Sequence, residues 1–88
     1  MTQLTEMSAE HAPRRFSLCL VDREVDDAAV VGWGMAFADG AVAYLPGDPE
    51  MGGRRRVMYV PTADRARHRL SRLADVRLIW IDPDPESA

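Results

Sequence analysis

A chain of 88 residues makes one domain, with apolar residues enough for one modest core. Its net charge of −3 argues against bulk attraction to nucleic acid or anionic membrane, and no apolar run approaches the ~20 residues that span a bilayer. Cys19 is the single cysteine, which excludes an internal disulfide and an all-cysteine metal site; with a polar opening stretch that lacks a signal-peptide core, it points to a reduced, cytoplasmic setting.

Residues 1–13 show no sustained period and are expected to form a disordered tail. From Arg14 to Val21, Phe16, Leu18 and Leu20 alternate with Ser17, Cys19 and Val21, which is strand spacing. Asp22 to Asp27 follows as a charged connection. In the next segment Val31, Trp33, Met35 and Phe37 share one strand face, while Val30, Gly32, Gly34 and Ala36 share the other. The very small residues of that second face imply a close approach, by a packed helix, a neighbouring backbone or a ligand groove.

Ala38-Asp39-Gly40-Ala41 predicts a hairpin. Asp-Gly between two alternating apolar runs suits a type I′ turn, whose central residues both take positive φ. That turn sets Ala38 opposite Ala41, Phe37 opposite Val42, Ala36 opposite Ala43 and Met35 opposite Tyr44. Residues 46–56 then read as a turn-rich loop, and 57–60 as a short strand stopped by Pro61. Thr62 is a natural helix N-cap and Asp64 suits the positive end of the dipole. Ala63, Ala66, Leu70, Leu73 and Ala74 line one face of the expected helix, which should end near Asp75. Residues 76–82 form a last strand, apolar on both faces and so expected at the centre of the sheet.

The fold class is therefore α+β: a small antiparallel-type β-meander in the order β-β-β-β-α-β, with one helix packed on the sheet. Residues 14–82 make the domain, and 83–88 an acidic flexible tail.

Little in this chain can carry chemistry. Cys19 and His68 belong to no shared motif, and His11 lies in the expected tail. Asp22, Glu24, Asp26 and Asp27 lack the spacing of a calcium loop and read as a solvated turn. Gly32-Trp33-Gly34 has neither the third glycine nor the following helix of a phosphate-binding loop. No catalytic, cofactor-binding or metal-ligating residue is expected, and no cofactor.

The positive feature is arginine. All eleven basic residues are Arg, as codon bias in a GC-rich genome would produce, and most lie between Arg54 and Arg77. Arg65, Arg69 and Arg72 fall on one helical stripe, about 100° from the apolar one. With Arg54, Arg55 and Arg56 they form a candidate interaction surface. Joined to Tyr59 and Trp80 it would suit single-stranded nucleic acid; the helical stripe alone would suit an acidic protein or a second copy of the chain. A solvated helix face is the plainest reading. The function expected is an accessory or protein-interaction domain without catalytic activity, acting with a protein partner or as a homodimer and not at a membrane. A nucleic-acid-binding module is the alternative.

Arg15-Phe16-Ser17-Leu18, the run from Trp33 to Val42, and Arg77-Leu78-Ile79-Trp80-Ile81-Asp82 resemble a group of short uncharacterised proteins of high-GC, actinobacterial-type bacteria and their phages. These share a Phe-x-Asp-Gly-x-Val hairpin, a helix and a last apolar strand ending in an acidic residue. The resemblance implies a fold pattern and carries no known activity.

Overall fold

Alternation of inward and outward side chains builds a five-stranded antiparallel sheet in a computed structural model of the chain, which describes residues 2–10, 12–47, 53–72 and 74–83. The strands are β1 (Arg14–Asp22), β2 (Asp27–Phe37), β3 (Gly40–Leu45), β4 (Arg56–Val60) and β5 (Asp75–Trp80). They lie in the order β4-β3-β2-β1-β5. Between β4 and β5 runs the helix α2 (Ala63–Leu70), and α1 (Thr2–Glu10) precedes β1. The α+β class and the order β-β-β-β-α-β, with one helix on the sheet, are as expected.

The β1–β2 connection is built by its acidic residues. Asp22 Oδ1 accepts from the Glu24 amide at 3.0 Å, and Asp26 takes the left-handed conformation (φ 52°) that aspartate tolerates better than most residues. Val31 is left over where the register shifts beside Leu18 and Cys19. The bulge breaks the expected face assignment: Val31 packs on the core rather than beside Trp33, and Val30 is exposed.

Paired residues of antiparallel strands share a face, so the register sorts the two sides of the sheet. On one side Phe16 pairs with Gly34 and Trp80, and Leu18 with Gly32 and Leu78. Gly34 in turn pairs with Ala43, and Ala41 with Val60. Here α2 packs, through Ala63 and Ala66, with Leu70 against the margin of the core. Alanines on both helix and sheet let the two approach closely, while Phe16 and Leu18 are the only large side chains fully buried among the described residues. Each contributes roughly 1.5–3 kcal/mol by leaving water.

The small-residue face of β2 is occupied from within the fold. A Cβ on Gly34 would run into the ring of Phe16, and one on Gly32 would lie 2.5 Å from Leu45 Cδ2.

The β2–β3 hairpin exists, but two residues out of the expected register. Phe37 pairs with Gly40, Ala36 with Ala41, Met35 with Val42 and Trp33 with Tyr44. Ala38 and Asp39 make the turn, Gly40 opens β3, and none of the three has positive φ, so the turn is not type I′. A two-residue slide keeps every side chain on its own face. The register adopted places Gly34 between Phe16 and Ala43, where the ring needs the room.

Other boundaries also differ. Helix α2 stops at Leu70, capped by Ser71, whose amide donates to the Arg67 carbonyl (2.9 Å) and whose hydroxyl donates to that of His68 (2.7 Å). Asp75, expected at the helix end, opens β5. Strand β5 is an edge strand and not a central one. Its two apolar faces arise because Val76 and Leu78 face α2 while Ile79 stays exposed. Residues 2–10, expected to be a tail, form α1, whose Leu4 and Met7 are exposed and contribute nothing to the core. Leu73, and the expected tail beyond Pro83, lie outside the described residues.

Candidate functional site

One eight-residue helix covers one face of the sheet, and among the described residues nothing covers the other. The register brings to that bare face Trp33, Met35 and Phe37 from β2, Val42 and Tyr44 from β3, and Val57 and Tyr59 from β4. Ile79 joins them from β5, and Ile81 follows just beyond it. Their exposure is large for apolar side chains: 48% for Trp33, 44% for Phe37, 52% for Ile79 and 78% for Tyr59. Alternation that would bury these groups in a two-sided protein here leaves them in water. At one end the surface dips into an open depression of about 400 Å³ lined by Arg15, Trp33, Met35, Val42, Tyr44 and Ile81, with Phe16 and Gly34 at strand level.

The two acidic groups bordering this face are both held by arginine. Arg15 grips Asp82 with two guanidinium nitrogens, Nε to Oδ2 at 3.0 Å and Nη2 to Oδ1 at 2.8 Å, and its amide donates to Oδ2 at 2.8 Å. These side-chain and backbone hydrogen bonds from Arg15 hold the Asp82 carboxyl down at about 2. At the other end of β5 Asp75 accepts from Arg77 Nε (3.0 Å) and Arg23 Nε (3.1 Å), which lowers its pKa in the same way, Arg77 contributing most. Arg14 stacks on the Trp80 ring at 3.9 Å from the centroid, and Trp80 meets Phe16 edge-on at 5.6 Å.

The six arginines marked by the sequence are all exposed, and among the described residues none has an ion pair or side-chain hydrogen bond. Arg54 and Arg55 precede β4. Arg56 opens it, on the side of Met58 and Val60 that packs towards α2. Arg65 and Arg69 lie on α2, and Arg72 lies in the turn after it rather than on the helix. The helix arginines therefore stand on the covered side of the sheet, opposite the aromatic face. Tyr59 and Trp80 do not meet: β4 and β5 are the two edges, with three strands between them. Arg67, by contrast, is spent on Asp64 at 2.8 Å.

Cys19 is half-buried on the bare side, 3.8 Å from the Ser17 hydroxyl, whereas His68 is exposed on α2. The sheet separates them, and His11 lies outside the described residues.

The bare face itself went unmarked in the sequence reading. Its signal is present all the same: Gly32, Gly34, Ala36, Ala41 and Ala43 suit the small residues of a single helix, which leaves Trp33, Met35, Phe37 and Tyr44 on the side that nothing among the described residues covers. No helix among the described residues is long and apolar enough to cross a membrane. Comparison with family models, curated proteins and solved structures finds no match to this chain.

Proposed function

We propose that the chain is a protein-interaction domain without catalytic activity, and that it works through the bare face of its sheet. One observation carries this reading: four of the six aromatic side chains, Trp33, Phe37, Tyr44 and Tyr59, lie with Met35 outside the core on one continuous surface. Contiguous apolar patches of this kind mark docking surfaces. The rim of paired charges, Arg15 with Asp82 and Arg77 with Asp75, matches the polar margin of such surfaces. A photo-crosslinking residue at position 44, installed in cells, should form covalent protein adducts, while the same residue at position 69 should form few. Absence of adducts from position 44 removes the reading.

The unpaired arginines support a second one, a nucleic-acid-binding module built on Arg54, Arg55, Arg56, Arg65, Arg69 and Arg72. Oligonucleotide binding should then weaken steeply between low and physiological salt. A chain that binds no oligonucleotide at low salt does not have this function.

A further inference from the structure

We infer that the occupant of the bare face is a second copy of the same chain, so that two sheets pack face to face as a symmetric sandwich. This rests on the reading of that face as a docking surface and names its partner.

Area is the first argument. With large side chains offering on the order of 150–250 Å² each, the half-exposed residues of β2, β3, β4 and β5 on this side leave about 800 Å² of mostly apolar surface in water. That is about what each partner contributes to a standard interface, and more than the ~300–600 Å² of the largest patch on a typical monomer.

Charge is the second. The acidic groups bordering the face, Asp82 and Asp75, are each held by arginine. With Arg15, Arg23 and Arg77 set against Asp75 and Asp82, the border carries one excess positive charge, which selects weakly for an acidic or basic partner and repels its own image little.

The third is the distribution of apolar bulk. The helix side holds Phe16 and Leu18 among buried alanines, while Trp33, Met35, Phe37 and Tyr44 lie outside. A domain of this size with so thin a core gains its missing layer when a second sheet settles about 10 Å away. Packing at about 30° between strand directions interleaves two such faces, and identical surfaces related by a two-fold axis close the assembly at two.

Sedimentation equilibrium of the full chain tests this from low to high micromolar concentration. The expected mass is twice that of the chain, with a melting temperature that rises with concentration. Met35→Lys should yield a monomer with unchanged far-ultraviolet circular dichroism. Tyr44→Ala, a milder change, should weaken association about tenfold or more. Arg69→Ala, on the covered side, should leave the mass unchanged. A monomer at high micromolar concentration with a concentration-independent melting temperature overturns the inference, as does a dimer that survives Met35→Lys but dissociates in Arg69→Ala. The two failures are separable: a monomer whose position 44 still crosslinks to other proteins keeps the docking reading and loses only the second copy, whereas a monomer without adducts loses both.

Discussion

Phe16 fills, with its ring, the space that a side chain at position 34 would occupy. The contact joins β1 to β2 in the core, and Gly34 in turn lies opposite Ala43 of β3. Gly34→Ala should therefore destabilise the fold by roughly 1–3 kcal/mol, as overpacking does. Phe16→Ala should cost about 3–5 kcal/mol by leaving a cavity. Because the two side chains compete for one volume, Gly34→Ala should do less harm in a Phe16→Leu background. Urea unfolding of the four proteins at a single concentration measures this; strict additivity would show that the ring does not need the glycine.

Asp82 predicts an acid limb to stability. Its folded pKa of about 2 lies below its ordinary 3.8, held there by hydrogen bonds from the Arg15 side chain and amide. A depressed carboxyl stabilises the fold fully above its unfolded pKa and loses that contribution as pH falls through the folded one. The melting temperature should therefore fall as pH drops from about 4 towards 2, and Asp82→Asn should flatten part of that slope. Asp64 and Asp75, lowered by Arg67 and Arg77 respectively, should add to the slope in the same direction. Carbon-detected titration of the Asp82 carboxyl should place its midpoint well below that of a free aspartate.

Two glycines should respond in opposite order to what the Asp39-Gly40 dipeptide suggests. Gly47 is in the left-handed region (φ 76°), and a Cβ there would lie 2.7 Å from the Arg54 carbonyl oxygen. Gly40 has no positive φ, and its nearest neighbour would be the Val60 carbonyl oxygen at 3.2 Å. Alanine at 47 should cost about 1–2 kcal/mol, and alanine at 40 clearly less. Thermal melts of the two variants decide it; equal losses would argue against this hairpin register.

At the start of α2, Thr62 Oγ1 accepts from the Arg65 amide at 3.3 Å. Thr62→Ala should cost about 1 kcal/mol, and Thr62→Ser much less. Because α2 is the one helix packed on the core among the described residues, the loss should appear in global unfolding and not only in helix content.

Much of the architecture is legible in local patterns. The alternation from Trp33 to Tyr44 marks two strands and partitions their faces correctly, and Thr62 with Asp64 marks a helix start. What escaped depends on distant residues. Two registers of the hairpin place the same side chains on the same faces, so alternation alone does not choose between them. An apolar run such as Val76 to Trp80 reads as central when both faces are assumed covered; that one is bare follows from counting layers in three dimensions. The arginines were visible individually, but their separation from the aromatic face became clear only once α2 was placed on one side of the sheet.

The pairing of β1 with β5 sets a timetable for folding. Phe16 meets Trp80, and the Arg15 amide meets the Asp82 carboxylate, across almost the whole described chain. During synthesis β1 is followed directly by its partner β2, whereas the strand on its other margin, β5, is the last to be made. Contacts so distant along the chain slow closure. In that interval an unpaired β1 edge and the uncovered Phe16 and Leu18 are what a chaperone, or a neighbouring nascent chain, would meet.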